Sequence, residues 1–92
     1  MEQNRNAIRE YLKNNFPDMQ ISEKEDFDLS AYSFKLRDDQ NLLLLKVGDD
    51  FIDDTDEKTL RALFEQWKIA DLLKQNKTGH ILVTNNGPKV SK

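Results

Sequence analysis

The sequence predicts an α+β fold in the order α-β-β-β-α-β: a small antiparallel sheet of three to four strands, with two main helices on one face. Three observations carry this. Residues 5–15 and 56–67 repeat their apolar side chains at the helical period. Residues 31–37 and 41–48 are apolar runs at hairpin spacing, joined by Asp38-Asp39-Gln40-Asn41, a turn by composition. Residues 80–84, HILVT, are an apolar and partly β-branched run that follows the second helical stretch.

In the first helix Ala7, Ile8, Tyr11 and Leu12 form one stripe, with Arg5, Arg9, Glu10 and Lys13 mostly off it. Pro17 lacks an N–H and disfavours helical geometry at Phe16, so the helix stops near Asn14-Asn15. Met19 and Ile21 alternate weakly with polar residues, and Glu23, Lys24 and Glu25 suit the edge of a sheet. In DFDLSAYSFKLR the apolar parity switches between Ala31 and Tyr32. Either a bulge lies near residues 30–32, or the strand starts at Ala31 and Phe27 caps the core from a loop. The hairpin partner, 41–48, is apolar on both faces for four residues: Leu43, Leu45 and Val47 on one, Leu42, Leu44 and Lys46 on the other. A strand with one wet face would alternate with polar residues, so a covering for Leu42 and Leu44 is expected.

Asp54 and Glu57 have the spacing of a capping box, with Thr55 as the alternative cap. Leu60, Leu63, Phe64 and Trp67 then share a stripe, whereas Ile69, Leu72 and Leu73 lie roughly opposite it. A break between Trp67 and Ala70, with a short helix near 70–75, resolves the conflict; one straight helix between two apolar surfaces is the alternative. The expected core is Ile8, Leu12, Phe34, Leu43, Leu45, Val47, Leu60, Phe64 and Trp67. Residues 86–92 read as a frayed tail.

The 92 residues suit one small globular domain over 1–92. There is no cysteine, which excludes disulfides and thiolate metal sites. No stretch reads as a signal peptide or a membrane span, and a cytoplasmic protein is the expectation. Net charge is −3, unevenly spread: residues 18–57 hold 13 acids against 4 bases, and residues 58–92 hold 7 bases against 2 acids. Acids before a helix and bases late in it are what the helix dipole favours.

Catalytic and metal constellations are sparse. Asp49, Asp50, Asp53, Asp54, Asp56 and Glu57 are dense in carboxylates, but Phe51 and Ile52 stand where a calcium loop needs ligands. His80 is the one histidine, without a nucleophile in a recognisable setting, and the three glycines are too scattered for a phosphate loop. No cofactor or metal site is expected. The sequence argues against a nucleic-acid partner, because DDTDEK makes the start of the second main helix acidic, and carboxylates repel phosphate. The order helix, three strands, helix resembles the double-stranded-RNA-binding domains, and that resemblance would imply a phosphate-binding lysine cluster at this same position, from which the chain departs.

The order helix, three strands, helix, strand also resembles the core of restriction-endonuclease-like nucleases. On that resemblance Asp28 and Lys46 would correspond to an acid and the lysine of the Mg²⁺ site. Leu44 stands where the second acid belongs, which implies an inactive relative. The reading taken here is a non-enzymatic protein-interaction module that self-associates, with Leu42, Leu44, Ile69, Leu72 and Leu73 as the expected interface. An acidic surface of Asp49, Asp50 and Asp53 that meets a basic partner is the further alternative.

Overall fold

The computed structural model describes residues 2–28, 30–77 and 79–91. The fold is α+β. Among these residues the elements are α1 (Glu2–Asn15), β1 (Gln20–Asp26), β2 (Ala31–Arg37), β3 (Leu42–Gly48), α2 (Asp49–Asp54), α3 (Glu57–Gln66), α4 (Ile69–Gln75), β4 (His80–Thr84) and β5 (Gly87–Ser91).

The strands form one sheet in sequence order, β1-β2-β3-β4-β5. Three of the four pairings are antiparallel, but β3 and β4 run parallel, with Leu45 beside Ile81 and Val47 beside Val83. The sheet is therefore mixed, not antiparallel as expected. Parallel neighbours need a crossover, and α2–α4 supply it. Strand direction was the part that apolar periodicity could not reveal. The second difference is at the C-terminal end. Residues expected to fray make β5, turned back by Asn85-Asn86 and by Gly87 at φ 99°, a conformation that suits a residue without Cβ.

The switch of parity at residue 31 is a strand start. β2 begins at Ala31, and Phe27 sits in the preceding turn at 81% exposure, so it does not cap the core. Leu29 lies outside the described residues. The apolar plug at residues 51–52 is the middle of α2, with Phe51 and Ile52 both buried.

All four helices cover one side of the sheet. On that side Phe34, Leu36, Leu43, Leu45, Val47, Ile81 and Val83 are buried, together with Ile8, Leu12, Leu60 and Phe64 from the helices. Trp67 is half-buried, with its ring 5.8 Å from that of Phe51. Arg9 of α1 forks onto Glu23 of β1, which holds the Glu23 carboxyl below its usual range, hydrogen bonding first and charge attraction after it. Because this pKa is lowered by folding, the pair's contribution to stability is present at neutral pH and fades as acid protonates Glu23.

The break in the second helical stretch falls where the two opposed stripes require it. α3 ends at Gln66 and α4 starts at Ile69, and the turn rotates Ile69, Ala70 and Leu73 into the core. The cap of α3 is Asp56, whose carboxylate accepts from the Thr59 N–H at 2.7 Å, rather than Asp54 or Thr55. That hydrogen bond is the main reason the Asp56 carboxyl sits below its usual range.

Lys68 makes the turn itself, with φ 54° and ψ 51°. A side chain in this left-handed region crowds its own backbone. Lys68 is exposed, so its replacement relieves that crowding without disturbing packing. Lys68→Gly is expected to raise stability by about 0.5–1 kcal/mol in urea unfolding. A loss of stability would show that the lysine side chain contributes more than its backbone costs.

Candidate functional site

The candidate site is the side of the sheet that the helices leave open. The strand period fixes what it carries. Every residue whose neighbours in the strand face the core must itself face outward. On β3 these are Leu42, Leu44 and Lys46, flanked across β2 by Arg37, Lys35 and Ser33. On β4 they are His80, beside Leu44, and Leu82, beside Lys46. Lys24 lies opposite Ser33 on β1, and Lys89 lies opposite Leu82 on β5.

Two properties follow. First, Leu42, Leu44 and Leu82 make a short apolar strip in the middle of the face. Leu42 is 43% exposed, and Leu44 and Leu82 are half-buried. No helix of the described residues lies over them. Secondly, the outward strand positions flanking the strip are mostly basic. Among the described residues the face carries Lys24, Lys35, Arg37, Lys46 and Lys89, against Asp26 as its acid. Asp26 lies 3.6 Å from the Lys46 Nζ, reaching it diagonally across the sheet.

The expected interface residues thus separate. Leu42 and Leu44 lie on the open face. Ile69 and Leu73 are buried in the chain's own core, because the break at Trp67-Lys68 turns them inward, and Leu72 is half-buried against that core. The structure removes Ile69 and Leu73 from any surface. Leu82, Lys35, Arg37 and Lys89 join Leu42 and Leu44 on that face. Leu82 was hidden in the sequence because HILVT is apolar on both parities, and the charges became neighbours only through the pairing register.

The acidic set lies elsewhere. Asp49 is half-buried at the start of α2, and its N–H donates to the Ser30 carbonyl at 2.8 Å. Asp50 and Asp53 are exposed on the same short helix. Arg5 and Tyr32 line a shallow cleft with Asp49 and Asp53, and the Arg5 guanidinium lies 4.9 Å from the Tyr32 ring centre. This surface is on the helix side of the sheet, away from the leucine strip.

The nuclease-like residues are placed differently from the resemblance. Asp28 is an exposed turn residue, and the acid brought to Lys46 is Asp26. Leu44, one outward position before Lys46 on β3, supplies no oxygen. Among the described residues no three of His, Asp and Glu converge to hold a metal ion. No helix of the described residues is long and apolar enough to cross a membrane.

Comparison of the chain with protein-family models, with curated proteins and with solved structures finds no match to any of them.

Proposed function

We propose that the protein is a non-enzymatic interaction module that binds a protein partner through the open face of its sheet. The observation that supports this is the uncovered strip of Leu42, Leu44 and Leu82. Leucines left partly in water on a sheet face contribute less to the fold than core leucines, because the full value of about 1.5–3 kcal/mol for burying a leucine comes only when the whole side chain leaves water. Apolar residues gathered in one exposed patch are a feature of contact surfaces.

The charge around the strip bears on self-association. A two-fold dimer through this face would set its five cations against the same five of the second copy, and that juxtaposition opposes association. The partner is therefore read as a different surface from this one.

The test pairs stability with binding. The variant Leu42→Thr/Leu44→Thr keeps strand-compatible side chains and removes the strip. Its unfolding free energy is expected to stay within about 1 kcal/mol of the parent. Protein captured from a cell extract by the parent chain is expected to be absent with the variant. Equal capture by both, or a collapse of the fold in the variant, would reject the reading.

A further inference from the structure

We infer that the segment docking on the open face is acidic and amphipathic: apolar side chains meet Leu42, Leu44 and Leu82, and carboxylates meet the flanking cations. The inference rests on the reading of this face as a docking surface and adds the chemistry of what docks there.

Charge is segregated over the surface of the molecule. The chain has 17 acids and 14 bases, so a surface drawn from it at random would be slightly acidic. The strand positions of the open face reverse that balance, with five bases and one acid among the described residues, and the acids nearest them lie at the margins, Asp18, Asp38 and Asp39 in a cleft with Arg37 and Asp28 in one with Lys24. Asp26 is engaged with Lys46, and none of Lys24, Lys35, Arg37 and Lys89 forms an ion pair among the described residues. On the helix side Arg9 and Arg61 are paired with Glu23 and with Glu10 and Glu57, whereas Arg5, Lys13, Lys58, Lys68 and Lys74 form no ion pair among the described residues. What sets the open face apart is the scarcity of acids at its strand positions, where Asp26 is the one carboxylate among five cations of the described residues. Such a rim speeds encounter with an acidic surface and repels basic ones.

Dimensions narrow the occupant. Lys24 and Lys89 stand on the outer strands, four strand spacings apart, roughly 19 Å. Leu42 to Lys46 is four residues of strand, roughly 13 Å. A helix of about three turns covers this patch. Leucines at i, i+3, i+4 and i+7 would face the strip, with acids along both margins. A polynucleotide also carries negative charge, but the strip at the centre of this face, Leu42, Leu44 and Leu82, is aliphatic, and the rings near it are the imidazole of His80 beside Leu44 and Phe27 near Lys24 and Ser33.

The experiment follows backbone amide shifts of the isotope-labelled chain with four probes. One is a helical peptide with leucines on one face and glutamates on both margins. Its glutamine and lysine twins and a single-stranded oligothymidine complete the set. The glutamate peptide is expected to move the amides of Lys35, Arg37, Leu44, Lys46 and Leu82. It should bind about tenfold more tightly than the glutamine twin and lose most of that advantage in high salt. The lysine twin should leave the face unmoved. The triple variant Lys35→Glu/Arg37→Glu/Lys89→Glu, all exposed positions, should weaken the glutamate peptide by about tenfold or more and reverse the preference between the charged twins. Equal binding of the glutamine and glutamate peptides would overturn the acidic partner, yet leave the docking face in place. Tighter binding of the oligothymidine on the same amides would replace the protein segment with nucleic acid. A glutamate peptide that moves none of these amides also overturns the inference. The docking reading itself fails separately, when the leucine variant captures as well as the parent.

Discussion

Replacing Asn4 with leucine is expected to destabilise the protein by about 2–4 kcal/mol in urea unfolding, although the two side chains are similar in size. Asn4 is buried, at 5% exposure, and is the buried polar residue among those described. Its amide nitrogen donates to the carbonyl of Ile52 at 2.7 Å and also to that of Thr55. These carbonyls belong to the end of α2 and the residue that follows it, where a helix has no internal donors left. One side chain from α1 therefore closes the terminus of a helix some 50 positions later. Leucine would leave both carbonyls without that donor. The companion Asn4→Asp separates this cause from simple loss of packing. At neutral pH an ionised aspartate sets a negative oxygen against two carbonyls and is expected to be worse than leucine. In acid it regains one O–H donor, so its deficit should shrink while that of Asn4→Leu stays flat. A neutral effect of Asn4→Leu, or parallel pH profiles of the two variants, would show that these carbonyls do not depend on Asn4.

The second large effect is expected at Tyr11, where loss of a single oxygen in Tyr11→Phe should cost about 1.5–3 kcal/mol. The Tyr11 hydroxyl donates to the Phe64 carbonyl at 3.3 Å and accepts from the Ala70 N–H at 3.0 Å. One group thus serves both sides of the break between α3 and α4. Its ring stands edge-on to Phe64, 5.4 Å between centres, and phenylalanine retains that contact. The measured difference would therefore report the hydroxyl. Burial raises the Tyr11 pKa more than the Ala70 hydrogen bond lowers it. With the folded pKa above the unfolded one, the stability tied to the neutral phenol is whole below about pH 10 and is lost as the pH rises through the folded value. The phenylalanine variant should lack this alkaline loss. An equal melting temperature in the two proteins at neutral pH would reject the role.

How much of this was legible depends on the range of the interaction. The break near Trp67 was readable because Leu60–Phe64 and Ile69–Leu73 demand opposite faces, and that conflict is local. The hairpin of β2 and β3 was readable from two apolar runs and a polar turn. The parallel pairing of β3 with β4 was not, because an apolar strand has the same pattern in either direction. The roles of Asn4 and Tyr11 were hidden for another reason. Each meets a backbone group more than 45 positions away, and a carbonyl leaves no mark in the sequence. At the candidate site Leu42 and Leu44 announced themselves by breaking alternation. The basic rim did not, since Lys24, Lys35, Arg37, Lys46 and Lys89 lie on four different strands and are neighbours only once the register is set.

The parallel pairing also has a consequence for biosynthesis. As the chain leaves the ribosome, β1, β2 and β3 can pair in the order of their appearance, each with its predecessor. The other edge of β3 stays open until α2, α3 and α4 have been made and β4 follows. During that interval the most apolar strand of the protein presents unpaired N–H and C=O groups, with Leu44 and Leu45 at its middle. An open apolar edge is a template for wrong pairing between nascent chains. A ribosome stall within residues 57–75 would prolong this exposure, whereas passage through β4 ends it.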